Sequence, residues 1–248
     1  TGEVSKIPSK GSGNRYLTSS HDEIMVNDYT IPNQSPLWYG RLGNIKGPFY
    51  RPSDGVLKGP YVDFDIARSY RALWFNPVSR EEGAAASNRL YNVGTVIGVY
   101  KSDGGSGQIL GGGDWNRFSG YTAATQGTNS FESILAWGGV PARTYNGKLR
   151  IGLQQHAPQN AYWSGDWEVL SFQTADATCN AEGVGCGNCN HIDAASTCSG
   201  QAIAELMIFD RVLTDDEVVR MTVYLEHKWL GRTEPGWNGD AKLSWMEI

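Results

Sequence analysis

The stretch Gly200-Gln-Ala-Ile-Ala-Glu-Leu-Met-Ile-Phe-Asp-Arg-Val-Leu-Thr-Asp-Asp-Glu217, continuing to Tyr224-Leu-Glu-His-Lys-Trp-Leu-Gly231, holds a strand, a turn and a helix in one short run. Ala202 to Phe209 is dense in apolar residues and predicts a strand. Thr214 and Glu217 then form a Ser/Thr-x-x-Glu capping box, in which each side chain satisfies a backbone amide that the first helical turn would leave unpaired. Asp215 and Asp216 add negative charge at the positive end of the helix dipole. Val218, Met221, Leu225 and Trp229 make one apolar stripe, and Gly231 is a natural stop. A helix with a single apolar stripe lies on a sheet, not inside one.

Upstream of this unit the texture is that of short strands. Apolar, β-branched and aromatic runs recur at Leu37 to Tyr39, Pro60 to Asp65, Ala72 to Phe75, Val93 to Tyr100, Gln108 to Leu110, Lys148 to Leu153 and Trp167 to Phe172, separated by turns rich in Gly, Asn or Asp. No helical pattern intervenes, so βαβ units are excluded and antiparallel pairing follows. In the run from Val93 to Tyr100 both alternating sets are partly apolar, which predicts a central strand. Ser102 to Gly107 then reads as a hairpin loop. The 31 glycines, with 9 Trp and 12 Tyr, fit the same all-β picture of many tight turns between aromatic-bearing strands.

A chain of 248 residues can form one large sandwich and bury a core without bridges or metals. The first fifteen residues, poor in apolar periodicity, read as a linker within an N-terminal extension over 1–34. A domain is expected over 35–232, with 233–248 a C-terminal extension whose closing Leu243 to Ile248 looks like a further strand, as if the protein continued. The net charge of −5 comes with no block of Lys or Arg that could neutralise phosphates, so nucleic acid is not an expected partner. No apolar run approaches the ~18 residues that a membrane-spanning helix needs. Cys179, Cys186, Cys189 and Cys198 cluster in one Gly- and Asn-rich loop. Such a set reads as disulfides in a secreted protein and as metal ligands in a cytosolic one. Only Cys186 and Cys189 have zinc-knuckle spacing, which favours disulfides, with Cys179 to Cys198 across the base of the loop and Cys186 to Cys189 at its tip.

The run from Gly200 to Gly231 resembles the closing strand and capping helix of bacterial laminin-G-like jelly rolls, whose pattern is similar to G-x-I-A-E, two hydrophobic residues, x-[YF]-D-R-x-L-[ST]-x-x-E, then Y-L-x-x-K-[YW]. Tyr61 to Phe64 and Ile109 to Gly111 resemble the family's early strands more weakly. The resemblance spans about Leu37 to Gly231 and implies a concanavalin A-like jelly-roll sandwich of two antiparallel sheets with one short C-terminal helix. Where the family places a short hairpin before the closing strand, this chain carries its cysteine loop. The resemblance also implies that calcium, held by backbone carbonyls and Asp or Asn side chains, is a possible cofactor. Asp103, Asp114 and Asn116 are candidate donors, although each also reads as a turn-forming residue.

Jelly-roll glycosidases related to this family set two or three carboxylates at alternating positions of one strand, where two can sit ~5–5.5 Å apart as nucleophile and acid/base. The nearest pairs here are Asp63/Asp65 and Asp166/Glu168. Neither has a third member, and both read as structural. No G-x-S-x-G elbow, H-E-x-x-H helix or P-loop is present. His21, His156, His191 and His227 are dispersed, and His191, beside the cysteines, is the one kept as a metal-ligand candidate. Binding has better support. Asp114-Trp115-Asn116-Arg117, Trp137 and Tyr162-Trp163 fall in or beside loops, where aromatics can stack on sugar rings and polar neighbours can bond hydroxyls.

These features point to a non-catalytic carbohydrate-recognition or adhesion domain of a secreted or cell-surface protein, its partner a glycan or a surface protein. A structural spacer or protein-interaction module is the alternative, and a glycoside hydrolase stands behind both.

Overall fold

In the computed structural model the described residues are 6–8, 16–18, 48–64, 73–76, 90–102, 108–111, 117–119, 147–156, 164–177, 179–181, 183–185 and 201–233. Their strands are β1 (Lys6–Pro8), β2 (Tyr16–Thr18), β3 (Phe49–Arg51), β4 (Tyr61–Asp63), β5 (Leu73–Asn76), β6 (Leu90–Val93), β7 (Thr95–Ser102), β8 (Gln108–Gly111), β9 (Arg117–Ser119), β10 (Lys148–Ile151), β11 (Gln154–His156), β12 (Glu168–Gln173), β13 (Cys179–Ala181), β14 (Gly183–Val184) and β15 (Gln201–Phe209). One helix follows, α1 (Asp215–Leu225), continued by a π-helical turn over Glu226–Leu230. The described residues are therefore mostly β, with a short helix after the last strand. Among the described residues no helix is long and apolar enough to cross a membrane.

A seven-stranded sheet runs β11-β10-β12-β7-β15-β4-β3 and a six-stranded sheet β1-β2-β5-β14-β8-β9, with β13 and β6 as a separate pair. Every pairing is antiparallel. β1 and β2 lie inside the stretch read as an N-terminal extension and add to the sheet through β5. β7 is the middle strand of the seven, as its two apolar faces require. Val96 and Tyr100 join Leu170, Phe172 and Ile203 in a core shared with Ile109, Leu110 and Val184 of the second sheet. Ile97 and Val99 point the other way and pack with Val169, Val218, Met221 and Leu225. One face of the large sheet is thus the interior between layers, and its outer face carries α1.

The turn after β15 fastens the helix. Arg211 donates to both carboxylate oxygens of Glu217, at 3.0 and 2.6 Å. Thr214 Oγ1 accepts from the Glu217 amide at 3.3 Å while Glu217 Oε2 accepts from the Thr214 amide at 2.8 Å, completing the capping box. Thr95 on β7 donates to the Arg211 carbonyl and accepts from the Leu213 amide. Gly231 ends the helix in the left-handed region at φ 67°, which glycine reaches without steric cost.

A bulge between Ile203 and Glu205 shifts the register of β15 on β7. Strict alternation from the outward Ala202 would turn Glu205 inward. The extra residue turns it outward instead, where Trp229 Nε1 and Lys228 Nζ donate to Glu205 Oε2, the lysine at 2.7 Å. That carboxylate ties the π-helical turn to β15, and the Lys58 amide adds a bond to the Trp229 carbonyl at 3.0 Å.

Candidate functional site

Antiparallel register decides which segments meet at one end of the large sheet. Tyr100 pairs with Glu168, Ser102 with Gln201 and Ala202 with Asp63. The C-terminal ends of β7 and β4 therefore share an end with the N-terminal ends of β12 and β15. The chain leaves β7 at Ser102, next to Asp103, and approaches β12 from Ser164, next to Trp163.

On the outer face at this end the connection from β3 to β4 closes on Asp54. Asp54 Oδ1 accepts from the amides of Val56 and Leu57 at 3.1 and 3.2 Å, and Ser53 Oγ donates to the Leu57 carbonyl at 2.8 Å. Asp54 Oδ2 accepts from Trp167 Nε1 at 2.5 Å and from Lys101 Nζ at 3.2 Å. The Tyr61 ring meets that of Trp167 edge-on, centroids 5.1 Å apart, and the Lys101 ammonium stands over the same indole. Burial pushes the Asp54 carboxyl up, but the donations from Trp167, Leu57, Val56 and Lys101 outweigh it and hold the group down at about 2. Beside it Arg51 Nε donates to Asp63 Oδ2 at 2.9 Å and its guanidinium lies over Phe49.

This constellation ties three distant segments together. Lys101 lies two residues before Asp103 and Trp167 four residues after Trp163, so the Asp54 carboxylate fixes where both candidate segments join the sheet. Its chemistry is that of a clamp, with both oxygens engaged and Trp167 buried. Asp54, Lys101, Tyr61 and Trp167 escaped the sequence reading. The local signal was Ser53-Asp54-Gly55, an Asx-type turn whose remote partners no spacing rule could supply.

Of the carboxylates raised for catalysis, Asp63, Asp166 and Glu168 fall among the described residues. Asp63 is paired with Arg51. Asp166 is an exposed turn residue whose amide donates to Ser164 Oγ. Glu168 turns toward the interior face with Leu170 and Phe172, and burial raises its carboxyl above the ordinary range despite hydrogen bonding to Ser164 and the nearby Arg232 charge. Asp63 and Glu168 stand three strand spacings apart, ~14 Å, beyond the ~5–9.5 Å that either glycosidase geometry uses.

Arg117 begins β9, paired with Gly111, and Cys179 is buried on β13. Asp65, Asp103, Asp114, Trp115, Asn116, Trp137, Tyr162, Trp163, Cys186, Cys189, His191 and Cys198 lie outside the described residues, as does the Arg117 side chain. Among the described residues no three His, Cys, Asp or Glu side chains group as metal ligands. Compared with protein-family models, curated proteins and solved structures, the chain has no match in any of the three.

Proposed function

We propose that this chain is a non-catalytic glycan-recognition or adhesion module of the laminin-G-like, concanavalin A-like jelly-roll kind, acting outside the cell or at its surface. The observation that carries the reading is the closing unit. β15 lies between β7 and β4, and the D-R-x-L-T-x-x-E segment spends Arg211, Thr214 and Glu217 entirely on holding α1 against the outer face. Those residues do architectural work, so recognition falls to the loops. Trp115, Trp137, Tyr162 and Trp163 supply stacking surfaces in this proposal, Asp114, Asn116 and Arg117 bond hydroxyls, and calcium, where bound, is held by Asp103, Asp114 and Asn116. Cys179, Cys186, Cys189 and Cys198 form disulfides.

A glycan array probed with the whole chain, with and without calcium, tests this reading. Binding to a defined set of glycans that falls at least tenfold in Trp115→Ala or Trp163→Ala is the expected result. Silence across the array with calcium supplied, from protein that melts cooperatively, overturns it.

A further inference from the structure

The interface between α1 and the large sheet contains a polar seam that its own side chains do not satisfy. Arg150 and Ser171 are directly opposed on β10 and β12, and Lys148 is opposed to Gln173, so these four share the outer face. Positions 215, 222 and 226 fall on one side of the helix, being seven and four residues apart. Asp215 is pinned at one end of β10 by Lys148 Nζ at 2.7 Å and Arg150 at 3.3 Å, while Glu226 reaches Gly152 at the other end. Thr222 is buried between them on the same side of the helix, which sets it over the outer face that carries Arg150 and Ser171.

All four polar residues of the seam are buried, Arg150 at 8%, Ser171 at 1%, Gln173 at 4% and Thr222 at 0% exposure. Arg150 Nε, Ser171 Oγ, Gln173 Oε1 and Thr222 Oγ1 have no hydrogen-bond partner among the described residues. Gln173 Nε2, by contrast, donates to the Leu213 carbonyl at 2.8 Å and to Asp215 at 3.2 Å. Buried polar atoms are rarely left in this state, and a cluster of them marks a place where something small completes the bonding.

The chemistry of the four atoms selects the occupant. Arg150 Nε only donates, Gln173 Oε1 only accepts, and the two hydroxyls do either. An anion would meet the Gln173 oxygen and the Asp215 carboxylate, and a cation would meet the Arg150 guanidinium. A small neutral molecule that both donates and accepts suits all of them. We infer that α1 is seated on the sheet through ordered water held by Arg150, Ser171, Gln173 and Thr222, making this a built hydration site and the helix a water-bridged element.

Water-selective nuclear Overhauser measurements on the intact chain read this directly. Cross-peaks of long-lived water to the Arg150 Hε and the Thr222 methyl are expected, and their absence overturns the inference. Thr222→Val supplies the second readout. If water bridges the seam, removing one hydroxyl strands its other partners, and Tm falls by roughly 3–8 °C. A Tm that is unchanged or raised means a dry seam and overturns it. A chloride-dependent Tm that Ser171→Ala abolishes identifies an anion and overturns it equally.

Discussion

Asp54 shows how much one carboxylate can organise. It accepts four hydrogen bonds from three segments, and its remote donors lie 47 and 113 residues along the chain. Asp54→Asn keeps the shape but loses the charge, so stability at pH 7 should fall by about 1–2 kcal/mol, measured by urea unfolding. The pH dependence carries the sign. Asp54, with Asp215 and Glu217, is held at about 2 when folded against 3.8 or 4.5 as the ordinary value. The unfolded chain therefore binds more protons between about pH 4.5 and 2, and stability present above that window drains away as pH falls through it. The gap between Asp54→Asn and the parent should narrow over the lower part of that window, from about pH 4 to 2, in thermal melts. A gap that stays constant would show that the charge contributes nothing. None of this was legible in the sequence beyond a turn at Ser53-Asp54-Gly55, because the donors are contiguous only in space.

At the scale of elements the sequence was far more informative. The strands at Tyr61–Asp63, Leu73–Asn76, Thr95–Ser102, Gln108–Gly111, Lys148–Ile151, Glu168–Gln173 and Gln201–Phe209 fall where apolar and β-branched runs predicted them. The helix starts at its predicted cap and buries Val218, Met221 and Leu225. Local chemistry sufficed because a capping box and an apolar stripe act within a few residues. Thr214→Ala removes the hydroxyl that accepts from Glu217 and should cost about 1 kcal/mol, seen as a Tm lower by roughly 2–4 °C. An unchanged Tm would place the helix's stability wholly in its packing and its ion pairs. β1, β2, β3, β6, β9, β11, β13 and β14 were missed because segments of two to four residues show no periodicity, and pairing to a neighbour is what makes them strands.

For the whole molecule, the close approach of Gly94 to the turn after β15 is the tightest constraint. Gly94 donates to the Phe209 carbonyl at 2.8 Å and accepts from the Thr174 amide at 2.9 Å, joining three segments through backbone alone. A Cβ at this position would overlap the Arg211 carbonyl, which the surrounding ladder does not let move. Gly94→Ala should therefore abolish cooperative unfolding or lower Tm by more than 10 °C, checked by circular dichroism, whereas a parent-like melt would refute the packing described. The sequence by itself determined the all-β class, the central position of β7, the capped helix and its place on a sheet. All of these follow from periods of two and 3.6 residues and from contacts within one turn. Only tertiary structure decided the bulge that turns Glu205 outward onto Trp229, the closure of three segments on Asp54, and the opposition of Arg150 and Ser171 on the face that carries the helix. Each of these depends on register between strands remote in sequence, and register is fixed by the packing of the complete core, not by any local preference.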